Sequence, residues 1–403
     1  MIKLLNNVIL WIMLKEVNQM KKATTILKFI FLCGLTFLMT ACQNQANRSN
    51  QDQENSQASE IVQESTTEAV PDRYVTVRSI GDILLHDYVY WDGATPDGSY
   101  NFDKMFTQVK PYLENADITT ANMETIVAGS KLGVSSYPVF NAPEQIIDTL
   151  KNVGVDIVNN ATNHTMDWGP EGALASIATL KEKGMPYVGS YESWDDYNTP
   201  RVLGVNGVKV GFLAYTYGLN GNYLPEDQTY LATLIDNELI RLEIERLKKF
   251  CDVSIVIFHI GEENDFYPSA WQEEVFNVAK EAGANFVIGG HPHVLQPGII
   301  WNESQAGFYS HGNFLSGQVQ LDQKVGSIWE YRFKIDSNNK VTIDQMRMMP
   351  TYNPGYPEFA NYSVLPLADA ADLGVVDVPA KFAELKDRIQ TYNPEIEVVE
   401  YLD

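Results

Sequence analysis

Residues 253–294 read VSIVIFHIGEENDFYPSAWQEEVFNVAKEAGANFVIGGHPHV, and the reading of this stretch decides the fold. It opens on an apolar run, 253–258, that leads into His259. A run this short and this rich in β-branched residues is a strand buried on both faces. Residues 270–282 then space their apolar side chains as a helix does. Residues 286–288 make a second buried strand, followed at once by Gly289-Gly290-His291-Pro292-His293. Strand, helix and strand thus alternate, and histidines stand at the end of each strand. In open α/β sheets the carboxyl ends of strands are where ligand-binding groups collect.

The same alternation extends in both directions. Upstream, 74–80 and 118–121 read as strands, 143–152 as a helix opened by Pro143, 156–159 as a buried strand, and 170–183 as a helix closed by Gly184. Residues 202–205 and 208–215 flank Asn206-Gly207, a strong hairpin signal. Residues 234–250 form an amphipathic helix. Downstream, strands dominate from 297 to 349, with a turn at Asn338-Asn339, and 380–390 is a late helix. Helices set between buried strands, then a β-rich end, predict an α/β fold. Its expected form is a mixed β-sandwich flanked by helices, four layers in all. Eight regular βα units are not there, which excludes a TIM barrel.

The N-terminus reads as an address. Residues 20–42, MKKATTILKFIFLCGLTFLMTAC, combine Lys21-Lys22, a short apolar stretch and small residues before Cys42. That pattern is a signal peptide rather than a spanning helix. It resembles a bacterial lipoprotein signal, which implies cleavage before Cys42 and lipid on its sulfur. Met20 is then the start of translation. Residues 43–72 are polar and read as a flexible linker; as a coil it spans on the order of 30 Å. Residues 73–403 are expected to form a single domain, held by a lipid anchor on the outer face of the cytoplasmic membrane.

The formal net charge of −23 disfavours nucleic acid and anionic lipid headgroups as partners. Of three cysteines, Cys251 alone lies beyond the N-terminal segment, so that part has no internal disulfide.

All six histidines, His86, His164, His259, His291, His293 and His311, fall in or just after short strands. Carboxylates and amides accompany them: Asp82 ahead of His86, Asn122 and Glu124 after the second strand, Asn163 and Asp167 around His164, Glu263 after His259, Asn313 after His311. Imidazole with carboxylate suits Zn²⁺, Mn²⁺ or Fe rather than Mg²⁺ or Ca²⁺. A pair of ions needs a bridging carboxylate and ligands from several loops. On an extended segment, His291 and His293 point to the same side. Tyr137 and Trp168 read as aromatic core, with lining of the cleft as the alternative.

Six short motifs then stand in order: Gly81-Asp82; Asn122-Met123-Glu124; Asn163-His164 with Asp167-Trp168-Gly169; His259 with Gly261 and Glu263; Gly290-His291-Pro292-His293-Val294; and Gly312-Asn313-Phe314. Together they resemble the CapA (PgsA-like) capsule synthesis family, which shares the calcineurin-like metallophosphoesterase fold. The resemblance runs from about residue 74 to 314. It implies that Asp82 and His293 hold a first divalent ion, that Asn163, His259 and His291 hold a second, and that Glu124 bridges. It implies that His164 is a general acid or orients the leaving group. His86, Asn122, Asp167, Glu263, His311 and Asn313 are further candidates. The chain departs from the pattern at Leu84, where phosphoesterases of this fold carry a histidine after Asp-x, and at His311, where an apolar residue is usual.

The function implied is a surface lipoprotein of capsule or poly-γ-glutamate assembly, working beside membrane-bound synthase components on an anionic polymer. One reading makes it a metal-dependent hydrolase of the phosphoesterase or amidase kind. The other makes it a non-catalytic accessory that binds the nascent polymer or the synthase. A nucleotidase-like scavenger is a weaker third, since no clear base-stacking module is present.

Overall fold

The computed structural model describes residues 71–403 apart from 356–357 and 374–376. Cys42, the residue expected to carry lipid, the expected signal segment and nearly all of the expected linker lie outside the described residues.

The strands, in chain order, are β1 (Arg73–Leu84), β2 (Ile118–Met123), β3 (Ile157–Asn159), β4 (Tyr187–Val188), β5 (Arg201–Val205), β6 (Val208–Thr216), β7 (Val253–His259), β8 (Phe286–Gly290), β9 (Leu295–Asn302), β10 (Gln305–His311), β11 (Asn313–Ser316), β12 (Val325–Ile335), β13 (Val341–Tyr352), β14 (Leu365–Pro366) and β15 (Glu397–Val398). Among the described residues they form two sheets. One runs β14-β13-β12-β1-β2-β3-β4, with β11 added to β1 and β15 to β13; the other runs β5-β6-β7-β8-β10-β9. Both are mixed. β1, β2, β3 and β4 are parallel, as are β6, β7, β8 and β10, while β12 and β9 run against their neighbours.

Period-two alternation sorts the side chains into layers. Ile255 and Ile257 of β7 face the first sheet, where they join Val75, Val77, Trp329 and Tyr331 in one core. Val256 and Phe258 face outward and are covered by helices Asn237–Leu247 and Ala270–Glu281. That double burial is why 253–258 is apolar throughout. On the far side, Ile80 and Ile83 of β1 pack beneath helices Gln145–Asn152 and Gly169–Glu182. The result is helix, sheet, sheet, helix, the mixed α/β sandwich expected from the pattern. Stacked ring pairs close the space between sheets: Phe286 on Tyr331, centroids 3.7 Å apart, and Phe308 on Trp329 at 4.5 Å. Each such fully buried ring contributes on the order of 2–3 kcal/mol of hydrophobic free energy.

Local signals explain the element ends. Ser269 and Gln272 form a reciprocal cap on helix Ala270–Glu281. Asp236 accepts the Leu239 amide at 2.8 Å and starts the next helix upstream three residues later than periodicity alone suggested. The β5–β6 hairpin turns on Asn206 and Gly207 at φ 51° and 72°, as that dipeptide demands. β1 runs four residues further than its alternation showed, through Leu84, because β2 and β11 flank it on both edges there. Asp82 therefore lies inside a strand, not after one.

Candidate metal centre

Every parallel strand near the middle of the two sheets delivers a polar side chain at its carboxyl end. Asp82 comes from β1, Glu124 follows β2, and Asn159 ends β3 ahead of Asn163 and His164. His259 ends β7, His291 and His293 follow β8, and His311 ends β10. β11 pairs with β1 so that Asn313 stands opposite Asp82. All of these side chains are buried.

Glu124, His291 and His293 each offer a ligand atom, and these atoms lie within 4.8 Å of one another, a group that can hold a metal ion. Glu124 Oε1 is 3.7 Å from His259 Nε2 and 3.8 Å from His293 Nε2. His293 is oriented from behind by a 3.0 Å contact between its Nδ1 and Asn313 Oδ1, which leaves Nε2 turned towards Glu124. His259 Nε2 meets Asn163 Oδ1 at 2.9 Å. Asp82 Oδ1 accepts Asn122 Nδ2 at 2.7 Å and lies 3.2 Å from His311 Nε2. Asn122 is in turn held by Asn159 at 2.5 Å.

Unpaired atoms test whether these residues fit a cation. Asp82 Oδ2, both carboxylate oxygens of Glu124 and Nδ1 of His291 are buried without a hydrogen-bond partner. Asp82 Oδ2 lies 3.2 Å from His293 Nδ1, but that ring nitrogen is aligned on Asn313 instead. Buried polar atoms are ordinarily paired, and orphans on adjoining residues mark a place where a cation fits. The donor set of imidazole, carboxylate and amide oxygen suits a divalent transition metal.

Burial and mutual proximity set the proton affinities. Burial, with Asp82, Glu263 and Asp167 nearby, drives the Glu124 carboxyl well above its ordinary range, against the pull of His293. Burial also acts on Asp82, but the imidazoles of His293 and His311 beside it outweigh that and hold it well below the usual carboxylate range. Burial and the neighbouring His293 push His291 down to about 3; burial and His291 lower His259 strongly. Both are then neutral imidazoles, the form that binds metal. His293 goes the other way: burial would lower it, but Glu124 and Asp82 raise it to about 9.

His164 stands at the edge of this cluster. Its Nδ1 is 2.7 Å from Asp167 Oδ2, and that same oxygen accepts the Phe140 amide at 2.7 Å. The Phe140 ring packs edge-on against His164, centroids 4.7 Å apart. A carboxylate so close places the proton on Nδ1 and leaves Nε2 free.

Four expectations need correction. The His291-Pro292-His293 segment is not extended: His291 and His293 take φ values of 99° and 61°, sparsely populated for non-glycine residues. His86 does not join the metal group among the described residues; its Nδ1 lies 3.2 Å from both Leu84 O and Gly317 N, and its ring packs on Phe140. Glu263 is exposed and makes no hydrogen bond to a site histidine; the tight turn after β7 carries it outward and it acts only through its charge on Glu124 and His293. Tyr137 and Trp168 are surface residues, 75% and 39% exposed, because the 135–141 loop that carries Tyr137 folds over Asp167.

Two residues of the site escaped the sequence. Tyr217 lays its ring 4.6 Å from that of His291, and Asn220, at φ 50°, contacts Asn163 at 3.2 Å and His164 Nδ1 at 3.3 Å. Both follow β6. Their position just past the carboxyl end of a parallel strand was the available signal.

This architecture and this cluster define a mixed α/β sandwich with a buried histidine–carboxylate group that could hold a metal ion. The model of the family described as Bacterial capsule synthesis protein PGA_cap matches residues 76–318, and the chain belongs to that family. It is 28% identical over 268 residues to the capsule biosynthesis protein CapA of Bacillus anthracis, covering 64% of each chain, so it spans a little under two thirds of that relative. It is 26% identical over 275 residues to the PGA biosynthesis protein CapA of Bacillus subtilis strain 168, covering 68% of this chain and 71% of that one. Similar solved structures include the NAD nucleotidase of Haemophilus influenzae (12% identity, TM-score 0.43, 83% of this chain and 65% of that one). Another is a 5'-nucleotidase precursor of Thermus thermophilus (14%, 0.39, 73% and 54%).

Proposed function

We propose that this protein is a lipid-anchored, metal-dependent hydrolase on the outer face of the cytoplasmic membrane, acting on a phosphoester or amide bond during assembly of a poly-γ-glutamate-like capsule polymer. The observation that carries the reading is the buried pair Asp82 and Glu124, with three bare carboxylate oxygens facing His259, His291 and His293. Asp82, Glu124 and His293 would hold one divalent ion, and Glu124, Asn163, His259 and His291 a second, of the Mn, Zn or Fe kind. Such ions supply Lewis acidity to a polarised phosphoryl or carbonyl oxygen. The chain's own residues do the rest. His164, its Nδ1–H held by Asp167, would act as general acid in its imidazolium form, giving the Nε2 proton to the leaving group and staying behind as the neutral Nδ1–H imidazole. The chain is otherwise strongly acidic, so a cation centre is the place where an anionic polymer is drawn in.

Hydrolysis of a model phosphodiester with added Mn²⁺, abolished in His164→Ala, tests this. The second reading, an accessory that binds the nascent polymer or the synthase, is favoured by one feature: Leu84 is buried apolar at the position where phosphoesterases of this fold supply a ligand histidine. On that reading the purified domain is inactive, and His164→Ala binds polymer as well as the unaltered chain.

A further inference from the structure

His311 lies one layer behind the candidate ligands, and its surroundings are built around it. It ends β10, in the second sheet, yet its Nε2 reaches Asp82 Oδ1 of β1 at 3.2 Å. The route passes Gly290, where a Cβ would stand 2.8 Å from His311 Nε2 and 3.3 Å from Asp82 Oδ1. Any side chain at 290 would therefore collide with the contact. Ser327 Oγ donates to the His311 carbonyl at 3.0 Å and fixes the backbone. Asn122 supplies the other donor to the same Asp82 oxygen. With Oδ1 doubly occupied, Oδ2 makes no aligned hydrogen bond, although His293 Nδ1 lies 3.2 Å from it. Neither His311 nor Asp82 is among the three residues whose ligand atoms converge within 4.8 Å, which are Glu124, His291 and His293.

We propose that His311 is a positioning residue for Asp82: its Nε2–H, together with Asn122, clamps Oδ1 so that Oδ2 is presented to a divalent cation. This deepens the metal-centre reading and rests on it. The far nitrogen, Nδ1, is buried without a protein partner. His311 lines a small internal cavity between the sheets together with Ser79 and Thr120, whose hydroxyls face no aligned partner either.

The experiment uses the chain from residue 71 with two variants, His311→Leu and His311→Gln. Gln keeps an amide N–H near the position of Nε2; Leu keeps bulk and loses the donor. Mn²⁺ and Zn²⁺ binding is measured by calorimetry with elemental analysis, after thermal melts establish that each metal-free variant is folded. Removal of an orienting partner costs roughly 10- to 100-fold in metal affinity. The expected result is that loss in His311→Leu, in one of the binding steps, with His311→Gln close to the unaltered chain. Unchanged affinity in the Leu variant overturns the proposal. So does complete loss of an ion in both variants, matching Asp82→Ala, since that makes His311 a ligand. Imidazole ¹⁵N shifts of the metal-free protein provide a readout that needs no ion: a protonated Nε2 on His311 is expected, and a bare Nε2 overturns the clamp. An unaltered chain that takes up no metal defeats the metal-centre reading, while the ¹⁵N result still judges the Asp82–His311 contact.

Discussion

His164 and Asp167 sit three residues apart with Nδ1 and Oδ2 at 2.7 Å, and the carboxylate is locked in place by the Phe140 amide. One side chain therefore sets both the tautomer of His164 and the position of the ring packed over it. Under the hydrolase reading, His164→Ala lowers kcat by about 10²- to 10⁴-fold. Asp167→Asn lowers kcat in the same direction and leaves metal content unchanged. Steady-state kinetics on a phosphodiester, paired with elemental analysis, checks both.

Metal uptake should be pH-dependent well above the usual imidazole range. His293 holds its proton to about pH 9 in the metal-free protein, and that proton must leave before Nε2 binds a cation. Affinity is expected to climb with pH up to about 9 rather than level off above 6.5. Calorimetry near neutral pH in buffers of different ionisation enthalpy reads the released proton directly. No proton release would contradict the charge assignment at His293.

Stability of the metal-free chain carries opposed contributions from the site residues, His293 and His291 among them. His293 has a folded value above its unfolded one, so its contribution is full below pH 6.5 and is lost as pH rises through about 9. His291 is lowered to about 3, so its contribution is lost as pH falls from 6.5 towards 3. Glu124, raised in the fold, adds a loss as pH rises, and His259, lowered, adds a loss as pH falls. Thermal melts of chelator-treated protein should therefore fall off on both the acid and the alkaline side, and saturating metal should flatten the alkaline limb.

A buried charge network crosses the first sheet away from the site. Glu330 of β12 lies between Arg78 of β1 and Arg347 of β13, accepting Arg78 Nε and Arg347 Nε at 2.8 Å each. Glu330→Ala leaves Arg78, 1% exposed, without its counter-charge. Loss of about 3–5 kcal/mol is expected in urea unfolding, with metal content per folded chain unaltered.

The proposed lipid anchor is testable separately. Cys42→Ser in the full chain should release the protein from the membrane fraction and abolish incorporation of labelled lipid. Retention in the membrane with no label would point to an uncleaved N-terminal anchor instead.

The sequence by itself determined what depends on short spans of chain. Unbroken apolar runs marked strands buried on both faces, Asn206-Gly207 marked the hairpin, and histidines placed after strands marked the rim of the sheets. Those are properties of period and turn chemistry, which neighbouring residues dictate. Tertiary structure decided what depends on pairing across the chain. The contact of Asp82 with His311, 229 positions away, exists because β11 pairs with β1 and Gly290 leaves the space. Asn220 and Tyr217 enter because β6 lies parallel to β7 and ends beside His259. Positive φ at His291 and His293 cancels the simple alternation that an extended segment would impose, and His86 sits against Gly317 because the loop after β11 passes there. Where a side chain points at the end of a strand is set by its neighbours in space, and those neighbours come from distant parts of the chain.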